Sequence, residues 1–136
     1  MANNKKNFIF KTKVYYEDTD AGGIVYHANY LKFFERARTE FIYSLGFNHK
    51  LLKEKYNSTI IVHKFNIVYR KPALFEDDLM IITTVKNVSK LRIEMFQNAF
   101  NKKKDLLTEA FVELVNVNIK GKPTSLPKEL FDQLNK

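Results

Sequence analysis

Residues 25–45 carry the one strong three-to-four-residue apolar repeat of the chain, in Tyr30, Phe33, Phe34, Ala37, Phe41 and Leu45. Lys32, Glu35, Arg36, Arg38 and Glu40 fill most other positions. The segment from Val25 to Leu45 therefore predicts one amphipathic helix, stopped by Gly46. At 1.5 Å per residue it is about 30 Å long. A second, short helix is predicted over Asn48–Tyr56.

From Thr59 onwards the period changes to two. Ile61, His63, Phe65, Ile67 and Tyr69 share one face of a strand ending near Pro72. An apolar face of that kind predicts His63 as a buried structural histidine. Leu79–Val88, Leu91–Phe100 and Leu107–Ile119 read as three more strands, the last apolar on both faces at its centre. Pro127–Leu134 reads as a terminal helix. Ahead of the long helix, Phe8–Tyr16 is a first strand, with Phe8, Phe10, Thr12, Val14 and Tyr16 on one face and Lys11 and Lys13 on the other.

Strands of about 10–13 residues span about 33–43 Å, the length of the helix. Short connections make them antiparallel neighbours. One apolar helix beside a long sheet is buried only if the sheet wraps it. The fold class is thus α+β, a long central helix wrapped by a curved antiparallel sheet. A chain of 136 residues is one domain over 1–136, and 45% apolar residues suffice for its core. With no cysteine, disulfides, thiolate zinc sites and a cysteine nucleophile are excluded. The start, Asn3-Asn4-Lys5-Lys6-Asn7, is polar, and no apolar run reaches 18 residues. No signal peptide or membrane span is expected, and the chain reads as cytoplasmic.

The formal charge is +8, from 23 Lys+Arg against 15 Asp+Glu. Such a balance calls for an anionic partner. The cations are scattered, however, and no helix-turn-helix, ribonucleoprotein motif or zinc finger is readable, so nucleic acid is not the expected partner. Three separated histidines without an Asp-rich loop give no expectation of a metal.

The densest chemistry lies in Tyr15-Tyr16-Glu17-Asp18-Thr19-Asp20-Ala21-Gly22-Gly23-Ile24-Val25-Tyr26-His27-Ala28-Asn29-Tyr30. A strand ends, two glycines turn the chain, and the main helix begins. Helix N-termini present unpaired N–H groups with partial positive charge, which suit an anion or a developing oxyanion. Asp20, His27 and Tyr16 converge on that point in sequence. Each also has a plain reading. Asp20 can cap the turn, His27 can be a satisfied surface or core histidine, and Tyr16 can be an aromatic at a strand end.

The run from Tyr15 to Phe41 resembles the hotdog-fold thioesterases of the 4-hydroxybenzoyl-CoA thioesterase family, most of all the Tol-Pal system-associated acyl-CoA thioesterase branch. Weaker resemblance continues through Tyr69-Arg70-Lys71-Pro72-Ala73 and Asp77-Asp78-Leu79. The resemblance implies the hotdog fold, a homodimer or homotetramer, an active site at the dimer interface, and hydrolysis of acyl-CoA without metal or other cofactor. It implies Asp20 as the catalytic carboxylate, assisted by His27 and Tyr16, and Asp18 as structural. The oxyanion donors would come from the helix start, at Gly23, Ile24, Val25 and His27. Ser89 and Lys90 would contact the phosphates of coenzyme A. An acyl carrier protein is a further expected partner. The competing expectation is a non-catalytic acyl-CoA or acyl-carrier-protein binding module on the same fold.

Overall fold

The computed structural model describes residues 7–136; the polar stretch 3–6 lies outside them. Five strands form one antiparallel sheet: β1 (Asn7–Lys13), β2 (Thr59–Tyr69), β3 (Asp78–Val88), β4 (Arg92–Phe100) and β5 (Leu106–Val117). Their spatial order is β1-β3-β4-β5-β2, so β1 and β2 are the two edges. Helices are α1 (Tyr30–Ser44), α2 (His49–Tyr56) and α3 (Lys128–Leu134). Element types and order match the sequence reading, and the α+β expectation holds.

α1 buries Tyr30, Phe33, Phe34, Ala37 and Phe41 of the stripe its spacing predicts, and Ile42 besides. It packs against β3 and β1. Leu45 closes it and Gly46 turns the chain with φ 90°, which a side chain would strain. The helix does not begin at Val25. Ile24 and Val25 are extended, bridged to Leu74 and Thr19, and the Val25 N–H is committed to Ala73 O at 2.9 Å. A tight helical turn, His27–Asn29, intervenes before Tyr30. β1 likewise stops at Lys13, and Tyr16–Asp18 forms a separate short turn.

A second difference lies in β2. A bulge between Val62 and Lys64 inserts one extra residue against β5, and a one-residue slip exchanges the two faces. Ile60 points inward before it, and Phe65 and Ile67 after it. Ile61 is therefore exposed rather than on the core face. His63 sits at the bulge, exposed, and pairs through Nδ1 with Glu113, which also accepts from Arg92 at 3.0 Å. It is a surface ion-pair residue, not a buried one. This pairing holds the Glu113 carboxyl below its usual value.

The sheet has two ends. At the near end lie the end of β1, the start of β3, the β4–β5 turn and the end of β2. At the far end lie the β3–β4 hairpin and the start of β2, where α2 and α3 pack. Among the described residues, no helix is long and apolar enough to cross a membrane.

Candidate active site

The turn between β1 and α1 folds at the near end because buried Asp18 binds both of its sides. One carboxylate oxygen accepts from the Tyr15 N–H at 2.8 Å, and the other from Asn29 Nδ2 at 2.8 Å. Its carbonyl accepts from the Tyr26 N–H at 2.9 Å. The strand exit and the helix entrance are thereby tied to one side chain, which is the structural part expected of Asp18.

Between those anchors, Asp20 stands exposed at the tip. Its Oδ1 accepts from the Gly22 N–H at 2.8 Å, the plain turn-capping role. Among the described residues Oδ2 has no hydrogen-bond partner. The two glycines answer different needs. A Cβ on Gly22 would sit 3.2 Å from Asp20 Oδ1, tight against the carboxylate, whereas Gly23 has φ 81°.

Asp20, Ile24, Val25 and His27 line one cleft of about 340 Å³, closed on the other side by Tyr30, Tyr69 and the Arg70–Pro72 segment. The His27 ring is exposed, tilted against Tyr26 at 4.7 Å and edge-on to Tyr69 at 6.3 Å. The Tyr69 hydroxyl donates to the His27 carbonyl at 2.9 Å, so the end of β2 holds the helix entrance. The Tyr30 hydroxyl accepts from the Ala73 N–H at 3.3 Å. Burial raises the pKa of the Tyr30 phenol and, to the extent that it is covered, that of Tyr69.

Of the four expected oxyanion residues, two have spent their N–H groups inside the fold. Gly23 donates to Asp20 O at 3.0 Å and Val25 to Ala73 O at 2.9 Å. Ile24 and His27 N–H groups make no backbone hydrogen bond among the described residues; His27 opens a helical turn, whose first N–H groups have no partner within it.

Tyr16, Ser89 and Lys90 are not brought to this cleft within one chain. Tyr16 is 79% exposed, and its ring stacks on Phe75 at 4.2 Å. Ser89 and Lys90 sit in the far-end hairpin, where the Ser89 N–H bonds Arg92 O and Lys90 O accepts from Leu126 N–H. The length of β3, about 33 Å, separates that hairpin from the cleft's end of the sheet. Conversely, Tyr30, Tyr69, Arg70 and Lys71 line the cleft without having been read as site residues. Tyr30 and Tyr69 occupy apolar-face positions and read as core. Arg70 and Lys71 stand between a strand end and a proline, the one available signal of a polar rim.

Residues 14–134 match the family model described as the thioesterase-like superfamily. The chain is 42% identical over 124 residues to the acyl-CoA thioesterase YbgC of Haemophilus influenzae, covering 90% of each. It is 39% identical over 128 residues to the acyl-CoA thioester hydrolase YbgC of Escherichia coli O6:H1, covering 93% of this chain and 95% of the relative. A crystal structure of a probable thioesterase from Bartonella henselae superposes with a TM-score of 0.86 at 36% identity, over 90% of this chain and 100% of that one. A DHNA-CoA thioesterase from Staphylococcus aureus superposes with a TM-score of 0.85 at 30% identity, over 95% and 87%. The chain belongs to the thioesterase-like superfamily, with the hotdog fold, and its enzyme class is thioester hydrolase.

Proposed function

We propose that this chain hydrolyses acyl-coenzyme A, adding water to the thioester carbonyl and releasing a carboxylic acid and the coenzyme A thiol. The observation that carries the reading is the convergence of Asp20 and His27 on one cleft at the entrance of α1. The activity named for relatives at 39–42% identity supports it.

In this reading the carbonyl oxygen lies toward the open N–H groups of Ile24 and His27. Preorganised donors of this kind supply roughly 3–4 kcal/mol each to a tetrahedral oxyanion. Asp20, whose Oδ2 has no donor among the described residues, attacks the carbonyl to form an acyl anhydride, expelling the coenzyme A thiolate, or takes a proton from the attacking water. His27 orients that water or protonates the departing sulfur. Tyr16 lies outside the cleft and has no step here. β2 is an edge strand exposing Ile61, Val62, Val68 and Tyr69. A homodimer or homotetramer that joins sheets at an edge would complete the site. Ser89 and Lys90 would then serve a neighbouring copy. In this reading the chain is a member of the Tol-Pal-associated branch, which the resemblance of Tyr15–Phe41 supports. The reading also keeps a cytoplasmic location and an acyl carrier protein as an alternative acyl donor.

Asp20→Asn is expected to lower turnover at least about 100-fold, with the circular dichroism spectrum and thermal midpoint unchanged. Free thiol released from acyl-CoA is the measurement. Near-normal turnover would remove Asp20 from the reaction. Binding of acyl-CoA by the unaltered protein without thiol release would leave only a binding module.

A further inference from the structure

The inward faces of helix and sheet carry two apolar clusters, one toward each end of the molecule. A layer of polar side chains runs between them. On β4, Gln97 lies between Met95 of the far cluster and Ala99 of the near one. On β3, its register partner Thr83 lies between Val85 and Ile81 in the same way. Both are fully buried. On α1, Arg38 follows Phe34 and Ala37 of the near cluster and precedes Phe41 and Ile42 of the far one. Its guanidinium stands over Phe65, a ring packed against both clusters.

One side-chain amide joins this layer. Gln97 Nε2 donates to the Phe34 carbonyl at 3.0 Å and to Thr83 Oγ1 at 3.0 Å, and Gln97 Oε1 accepts from Arg38 Nη1 at 3.0 Å. Both ends of the amide are engaged, which leaves it one orientation. Among the described residues Arg38 makes no salt bridge, and burial lowers its pKa against the pull of Glu35. Apolar side chains of similar volume commonly replace such a network with no loss of stability, or with a gain. What the network supplies is direction. Apolar contact is non-directional and lets a helix shift slightly over a smooth bed. The bed here is smooth: Ala99 follows Gln97 on β4, and Ala110 lies opposite it on β5. The Gln97 amide instead grips α1 twice, at the Phe34 backbone and at the Arg38 head.

We propose that Gln97 is a positioning residue, which fixes the rotation and axial placement of α1 on the sheet and through them the helix entrance. Phe34 lies one turn, about 6 Å, along the axis from Tyr30. Tyr30 lines the cleft and directly follows the His27–Asn29 turn, so the clamp carries the open His27 N–H group with it. The consequence for turnover rests on the acyl-CoA reading above, in which that N–H faces the developing oxyanion.

The test compares Gln97→Met, Gln97→Glu and Arg38→Met/Thr83→Val/Gln97→Met with the unaltered protein by thiol release, thermal midpoint and nitrogen–proton correlation spectra. Gln97→Met strands the Arg38 and Thr83 groups and should lower the midpoint. Its kcat on acyl-CoA should fall about tenfold with KM within about twofold, the split expected when a transition-state donor is displaced. Gln97→Glu keeps Arg38 as an ion-pair partner and accepts from the Thr83 hydroxyl, but turns an oxygen toward the Phe34 carbonyl; its kcat should fall at least as far. The triple variant leaves no polar side chain unmatched in the layer, so its midpoint should recover while its kcat does not. In all three the His27 amide resonance should move, and that of Leu130 in α3 should stay. Normal kcat in Gln97→Met, or kcat that recovers together with the midpoint in the triple variant, would reduce the network to a structural one and overturn the proposal. An unaltered protein that releases no thiol would refute the hydrolase reading, and the spectra then judge the clamp alone: a displaced His27 amide sustains it and an unmoved one overturns it.

Discussion

At the far end of the sheet, Phe41, Leu52, Val88, Ile93, Met95 and Leu130 belong to a core of large side chains that takes in both short helices. At the near end, the core around Tyr30, Phe33 and Phe34 includes four alanines, Ala37, Ala73, Ala99 and Ala110. Burial of large aliphatic groups yields roughly 1.5–3 kcal/mol each, and alanine contributes far less. The near end compensates with directed bonds: Asp18 to Tyr15 and Asn29, Tyr69 to His27, and Tyr30 to Ala73. One end holds the molecule together by packing. The other holds a shape, with polar groups fixed by hydrogen bonds.

The largest effect on stability is therefore expected far from the cleft. Leu130, fully buried in α3, becomes a cavity in Leu130→Ala, at a cost of about 2–5 kcal/mol. Denaturant unfolding measures this, while turnover per folded molecule should stay within about twofold of the unaltered protein. A large loss of turnover without loss of stability would break the division between the ends.

Asp18→Ala should act on both quantities. It leaves the buried Asn29 Nδ2 and the half-buried Tyr15 N–H without their acceptor, which costs about 1–3 kcal/mol. It also releases the helix entrance, and a misplacement of about 1 Å there reduces turnover by tenfold to a hundredfold. Asp18→Asn should be milder. Its carbonyl still accepts from Tyr15, and the Asn29 amide can turn over to accept from the new NH₂ group. If both variants lose stability alone, the tie does not position the site.

The same contrast explains what was legible in the sequence. The far end rests on packing, and packing writes itself as period: the α1 stripe, the Ile93 and Met95 alternation of β4 and the existence of strands β3 and β5 all read correctly. Period fails where the backbone departs from regularity. The bulge at His63 shifted the β2 face by one residue, and no residue there advertises it, since neither glycine nor proline is present. The bridges at Ile24 and Val25 delayed the helix, because their partners, Leu74 and Thr19, are set by tertiary contact. At the site, Asp20 and His27 were readable from the local turn and from family resemblance. Tyr69, Arg70 and Lys71 reach the cleft from about 40 residues further along, a juxtaposition made by the Ile24–Leu74 bridge and the Tyr69–His27 bond.

Tyr16→Phe is expected to have the smallest effect, and it sharpens the boundary of the near-end site. Tyr16 stands four residues before Asp20, yet the Tyr16–Asp18 turn directs its ring onto Phe75 at 4.2 Å, outside the cleft lining. Its hydroxyl donates to nothing among the described residues, and the side chain is largely exposed. Phenylalanine keeps the stacking and loses only a solvated hydroxyl, so stability should change by no more than about 0.5 kcal/mol. Steady-state kinetics on acyl-CoA should give kcat and KM within about twofold, against the hundredfold expected for Asp20→Asn. A kcat loss approaching that of Asp20→Asn would mean that the phenol reaches a reacting carbonyl by another path. In this fold that path is a second copy whose cleft borders Tyr16. The site would then be composite, with one copy's turn completing its neighbour's.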